Sequence, residues 1–218
     1  MKKYPVYVII FVFLIGKLSA QQVVPERIVI FGVDCSLAKI VTRNNYNRDT
    51  LVRVDIPRLN QEMIKICSQY KGRFAAKEFL VDTTEVNRIN KQISSTALII
   101  DSRYQFINGD KPVREELKKY NISAYANKPG VGYLFVMEKI DERADRESFY
   151  IVLFDLQTKE IIHCDKVETG LSKIKNAVGS GWFSWKTGIL KTVSAMDDVY
   201  DFWNSYPENE KIDITQKK

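Results

Sequence analysis

The side chains that could do nucleophilic chemistry here are a single histidine, His163, and three cysteines, Cys35, Cys67 and Cys164. A thiolate activated by a neighbouring imidazole is the working pair of thiol enzymes. His163 and Cys164 are adjacent in the chain, in a segment that reads as a strand. Neighbours in a strand point to opposite faces, so these two cannot meet. A thiol enzyme would therefore need the fold to carry Cys35 or Cys67 to His163. One histidine excludes a His-rich zinc site, and the wide cysteine spacing contains no Cys-x-x-Cys pair, so neither a zinc nor a redox motif is indicated. An odd cysteine count cannot pair fully inside an exported chain. The plain reading is three small buried hydrophobes; the rival is one disulfide and a free thiol.

The acidic residues are no more suggestive. Asp198 and Asp201, three apart on a predicted helix, share a face with Asp197 nearby, a spacing more usual for a solvated surface than for a cation site. Asp101, Asp141 and Asp155 stand at predicted strand ends, where turns also place aspartate. One loop, Gly179-Ser180-Gly181, opens a predicted helix whose free N–H groups could hold an anion, with Lys173 and Lys175 just upstream. It lacks the Gly-Lys-Ser/Thr ending of a phosphate-binding loop. Trp182 and Trp185 follow at the helix start, as a docking surface would have them, although their spacing is also that of a core. The candidate binding residues are thus Trp182, Trp185, Lys173, Lys175, Gly179 and Gly181. No catalytic residue, metal site or cofactor is indicated.

The rest of the 218-residue chain sets the context. Lys2 and Lys3 precede an apolar run over residues 6–15, then Leu18-Ser19-Ala20. The run has the length of a signal-peptide core and is short of the roughly 20 apolar residues that span a bilayer. Cleavage is expected between Ala20 and Gln21; an uncleaved anchor is the alternative. No cysteine stands at the cleavage point to take a lipid. The net charge is +6, and removing Lys2, Lys3 and Lys17 leaves +3. Charges of both signs are interspersed, which argues against a nucleic-acid footprint. No second long apolar run predicts a membrane span. The expected division is a signal peptide over 1–20, one globular domain over 21–206, and a polar tail over 207–218.

Periodicity supplies the elements. Residues 27–33 form a β-rich run apolar on both faces, as in an interior strand. Asp55 and Pro57 signal a helix start, and Leu59, Met63, Ile66, Cys67 and Tyr70 form its apolar face, with Gly72 beyond its end. Residues 77–81 read as a strand. Asp82-Thr83-Thr84-Glu85 reads as a capping box before Val86, Ile89 and Ile93. Residues 96–100, rich in β-branched side chains, read as another strand. Asn108-Gly109-Asp110 turns the chain into a helix with Pro112 near its start and Val113, Leu117 and Tyr120 buried. Strands over 132–138, 148–155 and 161–168 form an antiparallel meander. Trp182, Trp185, Ile189, Val193, Met196, Tyr200 and Trp203 step at helical spacing. The fold class is α+β (mixed α/β): a sheet packed by helices, with a C-terminal three-stranded antiparallel meander and a long amphipathic final helix.

The strand ending Leu153-Phe154-Asp155-Leu156-Gln157-Thr158-Lys159-Glu160-Ile161-Ile162, its return strand and the amphipathic helix behind it resemble a known pattern. It is that of the envelope α/β domains of curli-secretion lipoproteins, of lipoprotein activators of penicillin-binding proteins, and of the N-terminal domain of the Tol-system propeller protein. The resemblance spans about residues 77–203. It implies an envelope location and a sheet edge used for protein contacts, with Asp155, Thr158 and Glu160 in the turn that carries it. The chain departs from those families in having neither a lipidated cysteine nor a propeller. It is also similar to secreted bacterial proteins to which no activity is attached. The expected function is that of an exported envelope protein, secreted or periplasmic, that binds a protein partner through a sheet edge or through Trp182 and Trp185. The alternatives are a binder of small anions at the 179–181 loop and a thiol-dependent enzyme. No nucleic-acid partner is expected, and no stable membrane insertion after cleavage.

Overall fold

A computed structural model describes residues 25–41, 48–69, 76–98, 110–141, 144 and 146–170. The expected signal peptide, the expected final helix carrying Trp182 to Trp203 and the expected polar tail all lie outside the described residues.

The frame is a mixed six-stranded sheet with helices against it, of α+β class. Its strands are β1 (Arg27–Asp34), β2 (Lys39–Val41), β3 (Glu78–Val81), β4 (Val131–Asp141), β5 (Arg146–Asp155) and β6 (Ile161–Gly170). The order is β3-β1-β4-β5-β6, with β2 pairing β4. β1 is parallel to β3 and to β4, and every residue of β1 is buried. That is the pattern of a parallel strand covered on both faces. β4, β5 and β6 run antiparallel in succession.

Gly32 breaks the regular alternation of β1. Its φ is +100°, and the pairing with β4 shifts between Ile30 and Gly32. This is a β-bulge, for which a residue without a Cβ is suited. Ile28 and Ile30 face one side, and after the bulge Val33 and Cys35 face that same side. There they meet Leu59, Met63, Ile66 and Cys67 of helix α2 (Ile56–Gln69), with Tyr133, Phe135, Ile151 and Leu153 from β4 and β5. On the opposite face Val29, Phe31, Leu134, Val152 and Phe154 pack with Val86 and Ile89 of α3 (Thr84–Asn90) and with Val113 and Leu117 of α5 (Lys111–Lys118). Each such side chain, fully buried, contributes about 1.5–3 kcal/mol, so the two layers supply the main drive for folding.

Three local expectations are corrected. Asp55 does not cap a helix. Arg48–Thr50 (α1) and a π-helical turn over Leu51–Asp55 precede α2, so the chain is already helical when it reaches Asp55. The wide turn answers Pro57, which lacks an N–H and whose ring crowds the carbonyl four residues back. The reciprocal box expected between Asp82 and Glu85 does not close, since the Asp82 N–H donates to Ile30 O. Asp82 Oδ1 accepts from the Thr84 N–H at 2.9 Å, and Glu85 turns to Arg88 and the Asn121 N–H. Finally, the run starting at Thr96 begins in a short helix, α4 (Ser95–Leu98), rather than a strand. Its Leu98 packs into the α2-side core, so the hydrophobicity there marks burial and not strand pairing.

Candidate functional site

The densest polar chemistry lies at the carboxyl end of β1. In an open α/β sheet this is where ligand sites gather, beside the point at which the strand order reverses. The chain goes from β1 out to β3, then crosses back to β4 on the other side. Five buried polar residues converge there: Asp34, Asn60, Thr83, Asn90 and Glu116.

Their partners are internal. The bulge at Gly32 turns the Val33 amide out of the ladder, and Asn60 Oδ1 on α2 accepts its N–H at 2.7 Å. Asn60 Nδ2 donates to Val33 O and to Asn87 Oδ1, both at 3.1 Å. Asn87 in turn donates to Thr83 Oγ1 at 3.1 Å. Asn90 on α3 donates to Val33 O and accepts from the Cys35 N–H, both at 2.8 Å. A Cβ on Gly32 would stand 2.4 Å from Asn60 Oδ1, which explains why no side chain is carried there.

Asp34 completes the cluster on the other face. Its Oδ1 accepts from the Ser36 N–H at 2.7 Å and its Oδ2 from the Tyr120 hydroxyl at 2.8 Å. Burial raises its pKa above the ordinary carboxylate value, against the opposing pull of the Ser36 and Tyr120 bonds, and nearby Glu116 adds to the rise. Glu116 Oε2 accepts from Ser36 Oγ at 3.1 Å, and its other oxygen pairs with Lys119. The side chains of this hub spend their hydrogen-bonding capacity on one another and on the β1 backbone. The arrangement ties α2, α3 and α5 to one strand end; it is a structural clasp.

A second polar region lies at the β4–β5 hairpin. A cleft of about 200 Å³ is lined by Lys139, Asp141, Ala144, Arg146, Glu147, Ser148 and Glu168. Lys139 pairs with Asp141 at 2.8 Å across its floor. Two basic and three acidic side chains line it, a mixed lining with a formal excess of one negative charge. Among the described residues no three His, Cys, Asp or Glu side chains are grouped to hold a metal ion.

The outer strand β6 is the third candidate. Among the described residues it has a strand partner, β5, on one side only. It is ten residues long, against four for β3 at the other edge. Its side chains from Ile161 to Glu168 are half-buried or exposed. Lys166 reaches across to the buried Glu138 on β4, with Nζ 3.0 and 2.9 Å from the two carboxylate oxygens. The turn that delivers β6 is built by the residues singled out in the sequence. Asp155 Oδ1 accepts from the Gln157 and Thr158 N–H groups at 2.8 and 2.7 Å. Thr158 Oγ1 accepts from Glu160 N–H at 3.2 Å. Lys159 takes the left-handed conformation, φ +61°, and its ammonium donates to Tyr120 O. Asp155 and Thr158 therefore act as turn builders that aim the strand.

Cys35, just past β1, stands three strands from His163 on β6 in the sheet order β1-β4-β5-β6. His163 Nε2 lies 2.8 Å from Asp165 Oδ2. All three cysteines are free. Cys67 Sγ sits against Met63 Sδ at 3.3 Å. Burial pushes the Cys67 thiol up to about 12 and that of Cys164 to about 11, and raises Cys35 beyond both. Such thiols hold their protons at neutral pH and are poor nucleophiles. Trp182, Trp185, Lys173, Lys175, Gly179 and Gly181 all lie outside the described residues, as do Asp101, Asp198 and Asp201.

The asparagines of the hub carried a signal that the apolar reading passed over. Asn60, Met63 and Cys67 recur at the helical spacing of the buried stripe, and Gly32 interrupts a strand, the usual mark of a bulge.

No family model matches the chain, and no curated protein sequence matches it. Among solved structures it is similar to a lipoprotein from Neisseria meningitidis, at 11% identity and a TM-score of 0.34, over 84% of this chain and 100% of that one. It is also similar to a hypothetical protein from Chlamydia trachomatis, at 12% identity and a TM-score of 0.35, over 80% and 96% of the two chains. Overlaps this loose carry no function across. Among the described residues no helix is long and apolar enough to cross a membrane.

Proposed function

We propose that this chain is an exported envelope protein that works by binding another protein along β6. The observation that carries the reading is the ten-residue outer strand, paired among the described residues on one side only and delivered by a turn whose Asp155 and Thr158 fix its direction. An open strand edge offers a row of backbone donors and acceptors, and an extended segment of a partner can add to it as a further strand. Export rests on the leader over residues 1–20 and on the family resemblance. The clasp at the end of β1 fits a scaffold role, since its polar groups are spent on holding the fold.

Site-specific photocrosslinking tests this. A photoreactive side chain at Asp165, which is 60% exposed on β6, is compared with one at Lys118 on α5. A discrete protein adduct from position 165 and none from position 118 is the expected result. Adducts from neither position, or equal smears from both, would refute a contact along β6.

A further inference from the structure

We infer that the occupant of the β6 edge is β6 of a second copy of this chain, paired antiparallel with Val167 on the two-fold axis. This rests on the reading of β6 as the contact edge and names the partner. The argument is one of symmetry and charge. Two identical strands related by a two-fold axis normal to the sheet face each other so that residue numbers across the pair sum to a fixed even value. Each possible axis position therefore fixes every opposing pair. Like charges directly opposite one another destabilise a ladder, and opposite charges stabilise it.

An axis at Asp165, Lys166 or Glu168 sets two identical charges face to face. An axis at Cys164 sets Glu160 against Glu168, one at His163 pairs Glu160 with Lys166 only by drawing that turn residue into the ladder, and one at Ile161, Ile162, Thr169 or Gly170 sets no two opposite charges of β6 against each other. An axis at Val167 sets Lys166 of each copy opposite Glu168 of the other, twice over, and makes no like-charge pair among the described residues. The side chains suit that register. Glu168 is 60% exposed and only 3.5 Å from Lys166 within one copy, so it is free to be shared with the opposing ammonium. Lys166 stays fixed by Glu138 behind it. Val167 packs against the α2-side core, so at the axis two valines would carry the apolar layer from one copy into the next. The product is a sheet continuous through two molecules.

Disulfide trapping reads the register directly. In a Cys164→Ser background, Val167→Cys places two thiols across the axis, with Cβ atoms about 4.5–5.5 Å apart. Asp165→Cys places its two thiols four residues out of step, about 13 Å apart along the strand. Mild oxidation of the purified mature protein is expected to give a covalent dimer from Val167→Cys and none from Asp165→Cys. Glu168→Lys, on an exposed side chain, is expected to weaken dimerisation about tenfold in sedimentation equilibrium while leaving the circular dichroism spectrum unchanged. Dimers trapped at 165 and not 167, or a mature protein that stays monomeric at every concentration, would overturn the self-pairing. A monomer that still gives a discrete adduct with a different protein from position 165 would overturn it while leaving the edge reading in place. A monomer with no adduct removes both.

Discussion

Replacing Asn60 with alanine should strike the fold at its most concentrated point. The side chain is 0% exposed and makes three hydrogen bonds. Val33 O keeps Asn90 as a donor and Asn87 keeps Thr83 as a partner, so the principal loss is the acceptor of the Val33 N–H. A buried donor left without a partner costs about 1–3 kcal/mol, and the remaining lost bonds bring the total to about 2–4 kcal/mol. Against an ordinary total stability of about 5–15 kcal/mol that is a large fraction. With a urea slope of about 2 kcal/mol/M, the midpoint of unfolding should fall by roughly 1–2 M with the slope unchanged. Asn60→Asp sharpens the test. It keeps an acceptor for Val33 N–H but sets a carboxylate against Val33 O and Asn87 Oδ1. The introduced carboxyl then has a folded pKa above its unfolded one, so this variant should be most stable at low pH and lose stability as pH rises through the folded value. A loss under about 0.5 kcal/mol for Asn60→Ala, or a wild-type midpoint for Asn60→Asp at neutral pH, would refute the view that this clasp holds α2 to β1.

Three other outcomes are expected. Asp34, its pKa raised chiefly by burial, contributes stability below its unfolded pKa that is lost as pH rises through the folded one; Asp34→Asn should remove that decline and leave the variant at least as stable at neutral pH, read from urea midpoints across pH. Lys166→Met should cost about 3 kcal/mol by stranding the buried Glu138 carboxylate, and the double change with Glu138→Leu should recover most of it, measured by thermal melts. Thiol titration with a chromogenic disulfide should find Cys35 and Cys67 unreactive in the folded protein and all three cysteines reactive in urea, with Cys164, the half-exposed one, the first to respond.

Long periodic segments were legible in the sequence because burial writes directly into them. β1, apolar on both faces, and α2, with Leu59, Met63, Ile66 and Cys67 in step, lie where alternation and helical spacing put them. β2 was not legible, because three residues hold no period. The Thr96 run misled because Leu98 is buried for reasons of tertiary packing, in a helix too short to show a repeat. The clasp was hidden for a different reason. Asn60 and Asn90 look like ordinary polar helix positions until the bulge at Gly32 brings an unpaired amide to meet them, and that meeting depends on residues 27 and 57 positions apart. The turn at Asp155 was visible as a pattern, and the structure supplies its physical meaning.

The π-helical turn before Pro57 makes the N-terminal arm of that helix a phase-shifted extension. In a plain α-helix, side chains five apart diverge by about 140° around the axis. The Ile56 N–H bonds instead to Leu51 O, and Leu51 and Ile56 both lie in the same core layer. The extra residue acts as a spacer that sets the rotation of everything upstream. If these five residues kept ordinary α pitch, Leu51 would swing away from Ile56 and out of that layer; removing one residue between positions 52 and 55 would let ordinary pitch, about 40° for a four-residue step, keep Leu51 in place. The joint thus lets five residues cover the turn that four would otherwise make.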